Sequence, residues 1–287
     1  MSDRPKRVAA IHDLSGFGRC SLSVILPTLS VMGVQVCPVP TAVFSTHTGG
    51  LGEVELRDLS DFTVPCLEHY QRLGLEFECI YSGFLSSDEQ IDHCLKFFSA
   101  YKDAFAVVDP VMGDHGHAYR TITPEMQARL CQLVQVADII TPNLTEACML
   151  LKIPYFTDGV TRSQCRSLLA RLSELGPNYV VITGVPMASG EMANIGYDRK
   201  NNSFWFISCG YLPVSYPGTG DLFTSVLTGG FLTGDSLPIA MGRATYFVER
   251  CIKTTFSYSS DPRYGVMLEK ELAALIDRQN FKDFSML

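Results

Sequence analysis

The sequence predicts an α/β fold in which a mostly parallel central sheet is covered by helices on both faces. Short apolar runs rich in β-branched residues alternate along the chain with longer amphipathic segments. The runs are almost continuously apolar, as in 7–11 (RVAAI) after its first residue, which is typical of strands buried on both faces. Alternation of such strands with helices indicates parallel strands joined by helical crossovers.

The predicted elements follow one another without a linker, a repeat or a low-complexity block, so we expect one domain over residues 1–287. The expected strands are 7–11, 34–39, 79–82, 104–108, 137–140 and 179–183. The expected helices between them are 22–32, which contains Pro27, 89–101, 124–134, 145–151 and 162–175.

The pattern changes after Thr183. Segments 192–198 and 203–208 predict an antiparallel hairpin at the edge of the sheet, because the DRKNN sequence between them is typical of a loop. Three further helices are expected over 218–232, 236–257 and 269–280.

Composition excludes several classes of function. The 287 residues include 23 Lys and Arg against 30 Asp and Glu, and the net charge of −7 argues against nucleic acid or an anionic membrane as the main partner. This net charge remains compatible with an anionic small ligand. The ten cysteines show no C-x-x-C spacing, which argues against a zinc ribbon or a thioredoxin-like site. Scattered cysteines, no signal-peptide pattern and no membrane-length apolar run predict a cytoplasmic protein.

Two common phosphate-binding motifs are absent. No lysine follows a glycine, which excludes a Walker-type loop. Gly16-Phe17-Gly18 follows the first strand, but Ser21 occupies the third glycine position of a dinucleotide fingerprint. The glycine segment therefore predicts either a simple turn or a close backbone approach to a ligand, beside His12 and Asp13.

Acidic residues follow two of the expected strands. Asp109 and Asp114 lie in AVVDPVMGD, and Asn143 and Glu146 lie in IITPNLTE. The acids could hold Mg²⁺ directly or through water if their strands are neighbours. The alternative is structural: turn or capping roles for Asp109 and Asp114, and a helix cap at Asn143 with Glu146 three residues later.

Two more segments combine small and polar residues. FSTHTGG (44–50) places Ser45, Thr46, His47 and Thr48 together, as a polar ligand site or a polar loop. In YPGTGDLF (216–223), Gly218-Thr219-Gly220 opens a predicted helix whose first turn carries Asp221. Backbone N–H groups and the positive end of such a helix suit an anion, and Asp221 could accept a proton from an attacking hydroxyl. An ordinary helix cap is the alternative.

Taken in order, the segments RVAAIHDLSGFG, FSTHTGG, SGF, DPVMGD, TPNLTE and GTGD resemble the ribokinase-like superfamily, and most closely its pyridoxal/pyridoxamine kinases. The resemblance covers nearly the whole chain. It implies a ribokinase-like three-layer sandwich, a homodimer, and ATP and Mg²⁺ as cofactors, with a monovalent cation left open. The implied activity is ATP-dependent phosphorylation of the 5′-hydroxymethyl group of pyridoxal, pyridoxamine or pyridoxine.

The same resemblance implies roles for individual residues. Asp221 matches the catalytic base, and Gly218, Thr219 and Gly220 match an anion hole for the γ-phosphate. The matched ATP contacts are Asp114, Asn143, Glu146, Thr183, Leu212 and Tyr216, and the matched Mg²⁺ contacts are Asp109, Asp114 and Glu146. The matched vitamin contacts are Asp13, Ser45, His47, Thr48, Phe84 and Asp221, and 114–123 matches a lid.

The chain also departs from the family pattern. Asp13 stands where many members have a serine that binds the ring, and Phe84 stands where a tyrosine is common. Both changes leave the preferred vitamer open. The alternatives to a B6 kinase are a hydroxymethylpyrimidine kinase of thiamine synthesis, a ribokinase-type sugar kinase and a non-catalytic vitamin or nucleotide binder.

Overall fold

Twelve strands and eight α-helices are present in residues 4–210, 212 and 214–287, the part of the chain that the computed structural model describes. The strands are β1 (Arg7–Phe17), β2 (Gln35–Thr46), β3 (Leu56–Asp58), β4 (Cys79–Ser82), β5 (Phe105–Val108), β6 (Gly113–Asp114), β7 (His117–Ala118), β8 (Ile139–Ile140), β9 (Tyr179–Pro186), β10 (Met192–Asp198), β11 (Ser203–Cys209) and β12 (Ser285–Met286). The helices are α1 (Leu22–Val31), α2 (Ser60–Arg72), α3 (Asp88–Ala100), α4 (Pro124–Val136), α5 (Leu144–Leu151), α6 (Arg162–Glu174), α7 (Thr219–Leu232) and α8 (Leu237–Ser257).

Ten of the strands form one sheet in the order β12-β11-β10-β9-β8-β5-β4-β1-β2-β3. The strands from β2 through β1, β4, β5 and β8 to β9 pair in parallel, and the outer strands at both ends pair antiparallel. β6 and β7 form a separate small hairpin. The predicted mostly parallel α/β sheet is therefore confirmed.

Helices cover both faces of the sheet. Helices α2 to α6 pack on one face, and α1, α7 and α8 pack on the other. β1 shows why its run is continuously apolar: Ala9 and Ile11 enter the first core, whereas Val8 and Ala10 enter the second. Among the described residues, no helix is long and apolar enough to cross a membrane.

Two strands extend well beyond their predicted ends. β1 continues past Ile11 to Phe17, with an irregularity in its pairing with β2 between His12 and Leu14. β2 continues through Pro38 and Pro40 to Thr46. Gln35 N donates to Lys6 O, on the β1 side of the strand. Because backbone N–H groups alternate sides along a strand, the nitrogens of Pro38 and Pro40 face the open side, where no donor is needed.

The second half differs from prediction at the sheet edge and at the last helix. The predicted antiparallel hairpin is confirmed as β10 and β11, and the two-residue strand β12 adds to its outer side, where Met286 pairs with Trp205. The expected helix over 269–280 is wrong: this region contains only 3₁₀ turns at Leu268–Lys270 and Leu272–Leu275. Glu269 pairs with Arg19 and Glu271 pairs with Arg250, which ties the segment to the loop between β1 and α1 and to α8.

The strand order locates a ligand site. The chain passes from β1 to β2 on one side and then continues with β4 on the other side of β1. In an open α/β sheet, such a reversal leaves a crevice beyond the carboxyl ends of the strands. The residues that follow β1, β4, β5 and β8 meet at this crevice.

Candidate active site

The N-terminus of α7 faces the crevice. Gly218 caps the helix with a φ of +77°, and a Cβ at this position would overlap the carbonyl oxygen of Arg19. Leu222 N donates to Gly218 O as the first helical bond, so the N–H groups of residues 219–221 precede the intrahelical ladder. A Cβ at Gly220 would meet open space. The helix therefore presents backbone donors and a bare glycine to an anion.

Asp221 lies on the first turn of α7 and is held from two sides. Its Oδ1 is 3.1 Å from Nε2 of His12, and its Oδ2 accepts a hydrogen bond of 2.7 Å from the backbone N–H of Ser21. The side chain keeps 12% of its surface exposed. The carboxylate is therefore fixed and still accessible from the crevice.

His12 lies between two carboxylates. Its Nδ1 is 2.9 Å from Oδ1 of Asp13, and its Nε2 faces Asp221. Burial lowers the pKa of His12, but the charge of Asp221 and the hydrogen bonds to both carboxylates outweigh burial and raise this pKa to about 10. The ring is therefore an imidazolium at neutral pH.

Two cavities meet at Asp221. The smaller has a volume of about 210 Å³, and the larger has a volume of about 600 Å³. Asp221 lines both, as do Gly218, Pro217, Val111 and Tyr119. The carboxylate and the N-terminus of α7 therefore stand where molecules in the two cavities would touch.

The smaller cavity has aromatic walls. The rings of Phe44 and Phe84 lie 6.3 Å apart at 61° to each other, and Thr48 lies on the rim. Flat apolar walls with a few polar groups suit a small aromatic ligand. Ser45 does not join them: it accepts a hydrogen bond from Glu55 N, and it lines neither cavity.

Two predicted vitamin contacts have other partners. Asp13 is buried, and its carboxylate contacts His12 and accepts a hydrogen bond from the Ser15 hydroxyl. Burial raises the pKa of Asp13, but these contacts outweigh burial and lower it. His47 accepts from Gly49 N at Nδ1 and therefore donates from Nε2 to the carbonyl of Arg263. Both residues line the smaller cavity, and each has protein partners for its polar atoms.

The glycine segment after the first strand has a structural role. Gly16 and Phe17 belong to β1, so the expected turn begins only at Gly18. Gly18 has a φ of +92°, and a Cβ there would overlap the ring of His47. The close approach is to a protein side chain and not to a ligand.

The larger cavity is lined by the other predicted residues. Asp109 follows β5, and its Oδ2 accepts a hydrogen bond of 3.3 Å from Thr224, whose hydroxyl lies 2.9 Å from that of Thr141. Burial and the charge of Asp221 raise the pKa of Asp109 to about 7. The remaining predicted residues of this cavity are Asp114, Asn143, Glu146, Thr183, Leu212, Tyr216, Thr219 and Gly220.

Asn143 and Glu146 form a capping box at the start of α5. Glu146 accepts from the N–H groups of Met112 and Asn143, and the Asn143 amide donates to Gly113 O. Burial and the charge of Asp109 raise the pKa of Glu146 well above its ordinary value. The predicted capping box is therefore present, and these side chains brace the cap and the hairpin of β6 and β7. Their contacts with a ligand stay a prediction.

The three predicted metal contacts do not form a preformed metal centre. In the part of the chain that is described, no group of three or more His, Cys, Asp and Glu side chains is placed to hold a metal ion. Asp114 instead accepts a hydrogen bond from its neighbour His115 N. A metal here would need ligands from elsewhere.

Sequence reasoning did not assign site roles to His12, Ser21, Tyr119 and Thr224. His12 stood beside a recognised motif, and Ser21 was noted only as the position where a dinucleotide fingerprint fails. Thr224 lies one turn beyond Asp221 on the face of α7 that meets Asp109, a spacing that was visible in the sequence. Tyr119 lay within the expected lid over 114–123 but was not singled out, because its place follows from the β6–β7 hairpin.

Two cavities, one of them with aromatic walls, join at the glycine-capped N-terminus of α7 and at Asp221. This site on a ribokinase-like fold defines the class of the protein as a small-molecule kinase. Comparison with known proteins agrees. The sequence profile of the phosphomethylpyrimidine kinase family matches residues 26–264, and the chain belongs to this family.

Pyridoxal kinases are among the relatives. A Bacteroides thetaiotaomicron protein that carries the phosphomethylpyrimidine kinase name, in a crystal form with pyridoxal, is 42% identical with a TM-score of 0.94, over 99% of this chain and 100% of its own. Pyridoxal kinase from Lactobacillus plantarum is 30% identical with a TM-score of 0.87, over 95% and 96% of the two chains. Pyridoxal kinase PdxY of Corynebacterium diphtheriae is 27% identical over 284 residues, 96% of this chain and 98% of its own.

Proposed function

We propose that the protein is a pyridoxal kinase, which transfers the γ-phosphoryl group of ATP to the 5′-hydroxymethyl group of pyridoxal, pyridoxamine or pyridoxine. The observation that carries the proposal is the junction of the two cavities at Asp221 and the N-terminus of α7. The pyridoxal in the crystal form of the Bacteroides relative supports the choice of vitamin.

The larger cavity takes ATP in this proposal. The free N–H groups of 219–221 and the positive end of α7 receive the γ-phosphate, and Gly220 leaves room for its approach. Thr183 contacts the phosphates. Leu212 and Tyr216 line the same cavity, and the adenine base is assigned to them.

The side chains fit a Mg²⁺ ion that is held mainly by ATP and water. Asp109 and Asp114 line the larger cavity, and hard carboxylate oxygens are suitable ligands for Mg²⁺, which keeps several waters. The raised pKa of Asp109 reflects its burial and the nearby negative charge of Asp221. When bound, Mg²⁺ would neutralise phosphate charge, and Glu146 would act on it only through the capping box.

The smaller cavity takes the pyridine ring in this proposal. Phe44 and Phe84 form its walls, and Thr48 supplies a hydroxyl at its rim. The 5′-hydroxymethyl group then points to Asp221. Because Phe84 replaces a tyrosine and the Asp13 carboxylate contacts His12, recognition of the ring substituents depends on fewer side-chain hydrogen-bond partners.

The chemistry is an in-line transfer. The vitamin oxygen forms a bond to the γ-phosphorus while the bond to the bridging oxygen of ADP breaks, and Asp221 accepts the hydroxyl proton. The N–H groups of α7 stabilise charge on the transferring group. Tyr119 and Val111 line both cavities, so a closing β6–β7 hairpin would exclude water from the junction.

Hydroxymethylpyrimidine kinase is the second candidate, because the family profile is named for phosphomethylpyrimidine kinases. Its substrate is also a small aromatic ring with a hydroxymethyl group. A panel of pyridoxal, pyridoxamine, pyridoxine and hydroxymethylpyrimidine with ATP and Mg²⁺ separates the candidates. ADP formed only with a B6 vitamer supports the proposal. Preference for the pyrimidine would favour the second candidate, and no ADP with any compound would indicate a non-catalytic binder.

Three broader proposals accompany this function. One domain over 1–287 is supported by the single main sheet that joins β1 to β12. A cytoplasmic location is supported by the ten cysteines, all of which are free. Homodimerisation rests on the family resemblance, and light scattering of the purified protein tests it.

A further inference from the structure

His12 is a buried residue at the junction to which the family resemblance assigns no part in the reaction. It is 1% exposed, and it is the side chain that separates Asp13 from Asp221. The backbone of Gly83 lies against its ring so closely that a Cβ there would overlap it, and Tyr81 contacts it edge-on with the ring centroids 6.4 Å apart. The ring is therefore confined on several sides.

The two ring nitrogens have their strongest contacts in the protonated state. Each nitrogen faces a carboxylate oxygen, at 2.9 Å from Asp13 and 3.1 Å from Asp221. A neutral ring would direct an unprotonated nitrogen at one of these carboxylates. The backbone N–H groups of Asp13 and Phe84 are also directed at Nδ1 and Nε2, at 3.0 and 3.2 Å, and would suit unprotonated nitrogens. The carboxylate contacts take precedence in our interpretation, because charge-assisted interactions are the stronger ones.

The charges around the junction make this cation important. Five acids line the two cavities, and no Lys or Arg is among the described residues that line either one; the acids are Asp13, Asp109, Asp114, Glu146 and Asp221. An incoming triphosphate adds more negative charge. The charge of a buried carboxylate needs a partner of opposite charge, and His12 is in direct contact with the carboxylate of Asp221.

We propose that His12 is a positioning residue for Asp221: its protonated ring, clamped by Asp13, aims the Asp221 carboxylate at the vitamin hydroxyl and balances its charge beside the γ-phosphoryl group. The proposal rests on the proposed kinase function. It gives Asp13 a purpose as well, because Asp13 orients the ring that orients Asp221. The groups that face His12 are Asp13 from β1, Asp221 from α7 and Tyr81 from β4, with Asp109 acting on it through its charge.

The test compares His12→Gln with His93→Gln. The introduced glutamine can donate a hydrogen bond but carries no charge, and His93 is also buried but lies outside both cavities. Loss of a charge-assisted contact predicts that His12→Gln lowers kcat by about 10-fold or more. The KM values for pyridoxal and ATP should stay within about threefold of wild type, and His93→Gln should keep the wild-type kcat.

If the His12→Gln protein does not fold, a second variant and a spectroscopic measurement still test the proposal. Asp13→Asn leaves the ring in place and should lower kcat by a smaller factor at unchanged KM. In wild-type protein the NMR signal of His12 should remain that of an imidazolium at about pH 8, and Asp221→Asn should lower the pKa of His12, because the carboxylate charge is removed.

The outcomes separate this proposal from the function on which it rests. A wild-type protein that phosphorylates no B6 vitamer overturns the proposed function. An active wild type with unchanged kcat in His12→Gln, or with a change confined to KM, overturns the positioning role alone. A neutral His12 ring at that same pH in an active enzyme also overturns it.

Discussion

Ser21 and Asp221 are joined by a hydrogen bond of 2.7 Å from the backbone N–H of Ser21 to Oδ2 of Asp221. Ser21 precedes α1 with a φ of +56°, a region that residues other than glycine rarely adopt. Since Asp221 lies on α7, the bond ties together the starts of two helices on the same face of the sheet. The strained backbone at Ser21 therefore aims an amide at the proposed base.

The first prediction distinguishes the role of the Ser21 backbone amide from the role of the Ser21 side chain. Because the donor is the backbone, Ser21→Gly and Ser21→Ala should both retain kcat within about threefold of wild type. Glycine tolerates the positive φ and alanine does not, so urea unfolding should show Ser21→Gly to be more stable than Ser21→Ala by ~1 kcal/mol. A large loss of kcat in both variants would mean that the hydroxyl is required.

The Ser21 contact illustrates what sequence patterns predict. The parallel core strands and the Gly218–Asp221 segment follow from local apolar runs and glycine spacing, both of which the chain displays directly. The extension of β1 through Asp13 and Gly16 does not follow from such local patterns. These residue types are poor strand formers, and pairing with β2 holds them in the strand.

The site also contains residues that the sequence patterns predict and residues that they do not. Residues at the carboxyl ends of strands were predictable as a group, since parallel strands end at one edge. The pairing of His12 with Asp221 joins residues that are 209 positions apart, so no local pattern contains it. Likewise Asn143 and Glu146 matched both a capping box and a ligand site. The contacts with Met112 and Gly113 show the structural role, which the sequence pattern alone did not establish, and the ligand role stays a prediction.

The second prediction concerns Gly220. A Cβ at this position meets open space on the cavity side of α7, so Gly220→Val should fold with a wild-type melting temperature. Its branched side chain should occupy the approach of the γ-phosphate and lower kcat/KM for ATP by at least ~10²-fold, the size of losing an anion-stabilising contact. Calorimetry and steady-state kinetics check the two halves.

Gly218→Ala is the matched contrast. Its Cβ would overlap the carbonyl of Arg19 at a positive φ, so this variant should lose stability before it loses any specific contact with ATP. Normal turnover by Gly220→Val would contradict the placement of the γ-phosphate at this helix.

The third prediction follows from the pKa of His12. This pKa is about 10 in the folded protein against 6.5 in the unfolded chain, so the folded state holds a proton that the unfolded state releases above pH 6.5. The stability from His12 is therefore complete below pH 6.5 and is lost as the pH rises towards 10.

Urea unfolding of wild type and His12→Gln at about pH 6.5, 7.5 and 8.5 measures this effect. The free energy of unfolding of wild type should decrease relative to that of the variant by up to ~1 kcal/mol per pH unit. Cysteines and tyrosines titrate in both proteins and cancel in the comparison. Parallel pH profiles of the two proteins would show that His12 is not charged in the folded state.

The most direct test of the account is the turnover of Asp221→Asn with saturating ATP, Mg²⁺ and pyridoxal. Asp198→Asn is the control, because Asp198 is also buried and lies at the end of β10, outside both cavities. We predict that Asp221→Asn still binds ATP and pyridoxal but forms pyridoxal 5′-phosphate at least ~10²-fold more slowly, as expected for loss of a general base, whereas the control is unchanged. Near-normal formation of pyridoxal 5′-phosphate by Asp221→Asn would contradict the account.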